Sequence, residues 1–270
     1  MTPTTFNSDL VDTLLGLTTV VAEQGDVKAA VEANHDDNQW WPGYVADWRV
    51  RMAVAGWSTR VSYAMVDTYA NVVKTADAHG WDALIGMDDS ELASLIRPLG
   101  LAEARIRYLR SLQAFLSEPD AAGGDVLTMP ATQLITNFAA RVDGASFKVA
   151  QCAALYARGY HCGIMPVDSG MVTRLAPCLG LTLDRGPAAH ERMRCLLENC
   201  VTADPTPYRD LIDSYGYRVT IPGHAAPSWW LHLVLIYFKR LYLNRPVSAR
   251  LCPLRPVCPH VLDCDHLRRE

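Results

Sequence analysis

One lysine and one aspartate stand near the two ends of a stretch that is otherwise rich in apolar and small residues, VDGASFKVAQCAALYARGYHCGIMPVDSG, residues 142–170. A lysine amine can attack an electrophilic carbon, and a carboxylate can stabilise positive charge that develops beside it. Lys148 and Asp168 are therefore candidates for two halves of one catalytic site. The alternative is that Lys148 is a solvated surface residue and that Asp168 caps a helix, although a capping carboxylate can also take part in catalysis.

The residues around Lys148 predict two helices joined by a tight turn, over about residues 135–158. Gly144 tolerates a positive φ, and the apolar stripe that follows Ser146 has helical spacing. In such a turn the first backbone N–H groups of the second helix have no partner within the helix, and they can bind a phosphate oxygen. We therefore expect Gly144, Ala145 and Ser146 to contact phosphate, with Lys148 in the first turn of the second helix.

Helical periodicity dominates the rest of the chain. Apolar residues recur at three- and four-residue spacing in segments such as LVDTLLGLTTVVAEQ (residues 10–24) and SWWLHLVLIYFKRLYL (residues 228–243), whereas strand-like alternation is scarce. The predicted fold class is all-α, with about ten short helices separated by turn signals. The chain has 270 residues, half of them hydrophobic, and can bury a core as one large domain or two small ones. Trp229 and Trp230 are expected in that core, because tryptophan at helical spacing is usually a packing residue.

Composition predicts a cytoplasmic protein without a membrane segment. No apolar run reaches the roughly 20 residues that span a bilayer, and the N-terminus lacks the basic start of a secretion signal.

A net charge of −4 argues mildly against a nucleic-acid partner, but residues 228–270 hold seven basic and three acidic residues. This local basic excess is compatible with DNA binding and equally with a solvated face.

Three motifs carry a family resemblance: GGDV at residues 123–126, VDGASFKVA at 142–150 and PVDSGMVTRLAPCLGL at 166–181. Together they resemble the endonuclease III branch of the helix-hairpin-helix DNA glycosylase superfamily. WSTRVSYAM at 57–65 and LIRPLGLAEARIRYLRSL at 95–112 are similar to two upstream segments of that family. The similarity keeps a consistent order over most of the chain.

The resemblance implies an all-α, two-lobed glycosylase architecture with a cleft between the lobes. One lobe would comprise residues 44–163 and contain the helix-hairpin-helix motif. The other lobe would comprise residues 1–43 and 164–270 and end in a loop rich in cysteine and arginine. No protein partner is evident from the sequence.

The resemblance also implies a function in base excision repair, as a DNA N-glycosylase with AP-lyase activity. Such enzymes rotate a damaged or modified base out of double-stranded DNA before they cleave its bond to the sugar. Lys148 would attack C1′ and form a Schiff base that permits β-elimination, and Asp168 would stabilise the oxocarbenium ion. Ser58 lies near the segment that fills the vacated base stack, although its side chain is too short to fill the space alone. Arg250 and Arg255 would hold phosphate from the C-terminal loop.

Two departures from the family pattern concern the site. Ser146 replaces a glycine of the hairpin turn, and Ser169 and Gly170 replace the Thr-His or Thr-Asn pair that follows the aspartate in the family. The smaller side chains at these last two positions open space beside the acid. We therefore expect altered substrate contacts next to Asp168.

The C-terminal cysteines predict no bound metal or cofactor. CPLRPVC, residues 252–258, resembles the last two ligands of the [4Fe-4S] loop that is frequent in the family, but the first two ligand positions hold other residues. An iron–sulfur cluster needs about four thiolates. The alternative is a rebuilt [4Fe-4S] or zinc site at Cys252, Cys258 and Cys264, completed by a nearby histidine.

Two other functions are compatible with the sequence. An N-glycosidase could use the same pocket on an unusual modified base or nucleoside, and a non-catalytic helix-hairpin-helix protein could bind DNA without cleaving it. The presence of both Lys148 and Asp168 favours an enzyme over the non-catalytic alternative.

Overall fold

The computed structural model describes residues 8–38, 40, 42–118, 125–244 and 252–254. In these residues all regular structure is helical, which confirms the predicted all-α fold class. The chain divides into two compact units, one formed by Met1–Asp36 with Val167–Glu270 and the other by Asp37–Pro166. Among the described residues, no helix is long and apolar enough to cross a membrane.

Eleven α-helices account for most of the described structure, and short 3-10 and π-helical segments connect or extend some of them. In chain order the α-helices are α1 (Ser8–Ala22), α2 (Gly25–His35), α3 (Trp48–Trp57), α4 (Val66–Gly86), α5 (Asp89–Ile96), α6 (Ala102–Ser117), α7 (Ala131–Arg141), α8 (Phe147–Arg158), α9 (Ala188–Ala203), α10 (Thr206–Ser214) and α11 (Ser228–Phe238). The 3-10 segments are Tyr63–Met65, Arg97–Leu99 and Ala176–Leu179, the first π segment is Met171–Leu175 and the second π segment is Lys239–Leu243.

Helix α8 forms the centre of the Asp37–Pro166 unit. Its nine residues Val149–Ala157 are all buried and four of them are alanine, so α3 and α7 can pack closely against it. On α3, Gly56 leaves room for the ring of Tyr108, with which a Cβ at this position would collide. The Tyr108 hydroxyl donates to the carbonyl of Met52 at 2.8 Å, so its burial leaves no unpaired hydroxyl. This core fixes the start of α8.

Helix α11 is the core of the other unit. All eleven of its residues are buried, and it packs against α1 and α2. Trp229 and Trp230 are 1% and 0% exposed, which confirms that this pair belongs to the core. The indole N–H of Trp229 donates to the carbonyl of His35 at 3.0 Å. Because α11 is buried on every side, Lys239, the residue that follows it, is also buried.

The two π segments pack against each other in this unit. The N–H of Asn244 donates to the carbonyl of Lys239 at 2.8 Å, which is the i→i+5 bond of a wide turn. Arg174 donates from Nη1 to the carbonyl of Leu243 at 2.6 Å and thereby joins the two segments. Helical periodicity does not predict such turns, which are rare and occur frequently at functional sites.

Candidate catalytic site

The helix pair and the turn around Gly144 lie where the sequence predicts them. Helix α7 ends at Arg141 and helix α8 begins at Phe147. Gly144 has a φ of +76°, a left-handed conformation that a side chain would strain. The Ser146 hydroxyl accepts a hydrogen bond from the N–H of Val149 at 3.4 Å. The serine that stands in place of a family glycine therefore caps the start of α8.

Lys148 is the second residue of α8 and its side chain is exposed. Gly144 and Ser146 are exposed as well, and Ala145 is half-buried. The turn and the first residues of α8 are thus open to a ligand that approaches the N-terminus of the helix. A phosphate group is the ligand that such a helix start binds most readily.

Asp168 lies in the unit formed by Met1–Asp36 with Val167–Glu270, whereas Lys148 belongs to the other unit. One carboxylate oxygen of Asp168, Oδ1, accepts a hydrogen bond from the N–H of Met171 at 2.8 Å. The helix cap that the sequence predicts is therefore present. The Asp168 side chain is 25% exposed, so the carboxylate can still be reached from solvent.

The second carboxylate oxygen of Asp168, Oδ2, forms an ion pair with the ammonium of Lys239. The Lys239 side chain is only 5% exposed, so the cation is the buried member of the pair. Lys239 was not among the residues predicted from the sequence. The available signal was the cationic pair Lys239-Arg240 directly after the apolar run SWWLHLVLIYF, because a lysine next to a buried helix needs a partner. The partner itself, 71 positions away, leaves no local signal.

Both charges lie at the favourable ends of their helices. Asp168 caps the N-terminus of the helical turns that continue into the first π segment, and Lys239 stands at the C-terminus of α11. A helix dipole stabilises an anion at its N-terminus and a cation at its C-terminus, each by about 0.3–1 kcal/mol. The cap, the dipole and the ion pair all favour a charged carboxylate. The site can therefore present a fixed negative charge to a cationic transition state.

Gly170 provides the space that the Lys239 side chain occupies. A Cβ at this position would lie 3.0 Å from Cδ and 3.1 Å from Nζ of Lys239, and 3.4 Å from Oδ1 of Asp168. The space that the sequence predicts beside the acid is thus filled by a lysine from a distant helix. Where the resembled family has His or Asn, this chain has Gly170 with the Lys239 side chain beside it.

Ser169 and His190 form a polar contact next to the acid. Ser169 Oγ lies 3.4 Å from Nε2 of His190, a residue of α9. Ser169 is exposed and His190 is half-buried. A hydroxyl and an imidazole in this position can orient a water molecule or a substrate oxygen. This contact was not predicted from the sequence, because the two residues are 21 positions apart.

The Ser58 hydroxyl is engaged at the end of α3. It donates to the carbonyl of Ala55 at 2.7 Å. Arg60, two residues later, is exposed and has a φ of +58°, which is uncommon for a residue with a side chain. This loop therefore presents a longer, cationic side chain that was not singled out from the sequence. A contact between Ser58 and DNA stays a prediction.

The C-terminal loop lies largely outside the described residues. Arg250, Arg255, Cys258 and Cys264 all fall there, so their roles stay predictions. Cys252 is described and is buried. In the part of the chain that the structure describes, no group of three or more His, Cys, Asp or Glu side chains is arranged to hold a metal ion.

The chain shares its fold with a solved DNA glycosylase. No family model and no curated protein matches the sequence. The structure of a thermostable thymine-DNA glycosylase superposes on the chain with a TM-score of 0.56 at 14% sequence identity. The match covers 95% of this chain and 97% of that chain. The two proteins therefore have the same helical fold over nearly their whole lengths.

Removal of the Asp168 charge is expected to destabilise the fold. Asp168→Asn leaves the Lys239 ammonium without its carboxylate, and breaking one side of a buried pair typically lowers the free energy of unfolding by about 3–5 kcal/mol. Because Asp168 is partly exposed, we expect the lower end of that range, about 3 kcal/mol. Urea-induced unfolding of the variant and the wild type measures the difference.

Two further variants control this prediction. Asp168→Asn combined with Lys239→Met replaces the buried cation with an apolar side chain of similar length, and should recover most of the lost free energy of unfolding. Lys148→Gln changes an exposed lysine and should alter that free energy by less than about 0.5 kcal/mol. Equal unfolding free energies in the single and double Asp168 variants would contradict a stabilising ion pair.

Proposed function

We propose that the chain is a DNA glycosylase that cleaves the N-glycosidic bond of a damaged or modified base in double-stranded DNA. The observation that carries this proposal is the Asp168 carboxylate, which is held by Met171 and Lys239 while 25% of its side chain is exposed. Cleavage of the bond leaves positive charge on the sugar, and a fixed carboxylate stabilises the resulting oxocarbenium ion. The fold shared with a thymine-DNA glycosylase supports the proposal.

The turn around Gly144 is the proposed contact to the DNA backbone. The backbone N–H groups of Phe147 and Lys148 at the start of α8, and the positive end of its dipole, favour a phosphate oxygen at this point. Gly144, Ala145 and Ser146 would line the contact, and none of the three is buried. An anchored backbone holds the duplex while the target nucleotide rotates out of the base stack.

Lys148 is proposed to add AP-lyase activity. Its amine would attack C1′ as the base departs, lose a proton and form a Schiff base with the opened sugar, after which β-elimination breaks the strand. Its exposed position in the first turn of α8 and its place in the hairpin motif support this role. Without attack by Lys148, Asp168 would act on a water molecule and the product would be an abasic site.

Borohydride added during incubation with a substrate duplex is expected to trap a covalent complex through Lys148. Reduction converts the Schiff base into a stable amine, which survives denaturing electrophoresis. Lys148→Gln should abolish the trapped complex, whereas Lys74→Gln, which changes an exposed lysine on α4, should retain it. A panel of duplexes with different lesions, scored for base release and for strand scission, identifies the substrate.

The panel separates the two parts of the proposal. Base release without a trapped complex would contradict the lyase activity and leave Asp168 as the residue that directs water. A wild-type protein that releases no base from any duplex would contradict the glycosylase activity itself.

Gly144→Ala is expected to weaken binding to a DNA duplex. The added methyl group strains a left-handed backbone by about 1–2 kcal/mol, so the turn must shift and its N–H groups lose their alignment with phosphate. We expect a loss of about tenfold in affinity, which corresponds to about 1.4 kcal/mol. Fluorescence anisotropy with an undamaged duplex at several salt concentrations measures both the affinity and the number of phosphate contacts.

Gly86→Ala is the matched control for this variant. Gly86 is an exposed glycine of α4, has no left-handed φ, and a Cβ there would meet nothing within 4 Å. The control should bind the duplex as the wild type does. Equal weakening by the two substitutions would show that the turn has no particular part in DNA binding.

A further inference from the structure

We propose that Lys239 is a positioning residue of the glycosylase reaction: it holds the Asp168 carboxylate ionised and in one orientation, and it acts on the substrate only through that carboxylate. The inference rests on the proposed function. It assigns a role to a residue that lies outside the hairpin motif and outside the segment around Asp168.

Two contacts on two different oxygens fix the carboxylate. Oδ1 accepts from the N–H of Met171 at 2.8 Å, and Oδ2 pairs with the ammonium of Lys239. Because each oxygen has its own donor, rotation of the carboxylate about its own axis would break both contacts. The plane of the group is therefore set by a backbone N–H on one side and by a lysine on the other.

Burial assigns different roles to the two members of the pair. The Lys239 side chain is 5% exposed, and its ammonium already contacts Asp168, so it is poorly placed to attack a sugar carbon. The Asp168 side chain is 25% exposed, so a substrate can approach it from solvent. In this proposal the Lys239 ammonium places a positive charge beside the Asp168 carboxylate, and the carboxylate makes the contact with the reacting sugar.

The backbone that carries Lys239 is itself held in place. The lysine begins the second π segment, whose wide turn is closed by the bond from Asn244 to the Lys239 carbonyl. Arg174 ties this segment to the first π segment through the Leu243 carbonyl at 2.6 Å. The segment that follows Asp168 and the segment that begins with Lys239 are thereby joined twice, once by the ion pair and once by Arg174.

Gly170 also contributes to the position of Lys239, because it leaves space for the lysine side chain. A Cβ there would lie 3.0 Å from Cδ and 3.1 Å from Nζ of Lys239, so even alanine would press on the end of the lysine side chain. The absence of a side chain at position 170 leaves room for the lysine in the position from which it contacts Asp168. Gly170 and Lys239 therefore form a matched pair, although they lie in distant parts of the sequence.

Other titratable groups lie on the elements packed around the first π segment. Their contacts pair His190 with Ser169, Arg174 with the Leu243 carbonyl, Arg194 with Glu191 and Glu198, Arg240 with the Tyr237 ring, and Tyr242 with Asp26. These contacts engage partners other than Asp168. Lys239 is the group that places a cation directly on the Asp168 carboxylate, so we expect its removal to raise the pH at which Asp168 titrates.

The first test needs no substrate. Carbon-13 NMR of the side-chain carboxyl groups follows the titration of Asp168, which is assigned from the signal that Asp168→Asn removes. Lys239→Met should move this titration to higher pH, because the neighbouring cation is gone. Lys239→Arg keeps the charge and should titrate close to the wild type. An unchanged titration in Lys239→Met would overturn the proposal.

Two variants keep this test decisive. If Lys239→Met does not fold, Gly170→Val replaces it, since the branched side chain takes more of the space that the end of Lys239 occupies than the single Cβ of alanine, which already lies 3.0 Å from Cδ, and does so without removing the lysine charge. Its Asp168 titration should also move to higher pH, and an unchanged value would overturn the proposal. His190→Gln is the control, because it removes a nearby titratable group that does not pair with Asp168, and should leave the titration of Asp168 where it is.

The second test measures the reaction on the duplex that the lesion panel identifies. Lys239→Met should lower the single-turnover rate constant by about 100-fold, as expected when a reacting group loses its alignment, and should move the acid limb of the pH–rate profile upward. The affinity for the duplex should stay within about twofold of the wild type, since Lys239 makes no contact with DNA in this proposal. Lys239→Arg should recover part of the rate.

The outcomes distinguish this inference from the proposed function. A Lys239→Met variant with wild-type rate and pH profile, beside an inactive Asp168→Asn variant, overturns the role of Lys239 and leaves the glycosylase intact. Mass spectrometry that finds Lys239 in the borohydride adduct also overturns it, because the lysine would then be a nucleophile. A fully active Asp168→Asn variant instead contradicts the proposed function.

Discussion

The ion pair between Lys239 and Asp168 is the constraint on which the site depends. An ammonium on a side chain that is 5% exposed is costly to keep charged without a compensating charge, and the Asp168 carboxylate supplies that charge. This pair links the end of α11 to the residue that begins the helical turns after Val167. Because the same carboxylate caps those turns, its position is fixed by backbone and side chain together. A single interaction thus sets where the negative charge of the candidate site lies.

The packing of α11 explains why this pair forms at all. The helix is buried around its whole circumference, and its C-terminus therefore ends inside the unit instead of at its surface. The first residue after this helix, Lys239, is therefore still buried, whereas the next one, Arg240, is half-buried. The second π segment, tied to the first by Arg174, then directs the chain past Asp168. The apolar core and the polar site are consequences of the same buried helix.

The sequence predicts those features that arise from signals a few residues apart. Apolar spacing identifies the helices, and Gly144 followed by Ser146 identifies the turn and the cap at the start of α8. Asp168 is likewise recognisable as a cap from its immediate neighbours. The contact between Lys239 and Asp168 is not recognisable in this way, because 71 positions separate the two residues. The sequence around either residue does not indicate which residue is its partner. The π segments are not predicted from the helical periodicity of the sequence either. One extra residue in a turn changes the spacing of apolar side chains too little to be recognised.

Gly170 shows how a motif can be misjudged when one position is considered alone. Where the resembled family has a polar side chain after the aspartate, this chain has Gly170. Considered alone, this difference suggests that the site has lost a functional group. In the structure the same glycine leaves room for the Lys239 side chain, to which a Cβ would come as near as 3.0 Å. The charge environment of the acid is therefore rebuilt from another part of the chain. A departure from a family motif near a functional carboxylate is best interpreted together with the residues that occupy the space it leaves, because the chemistry depends on the charge beside the acid and not on which element supplies it.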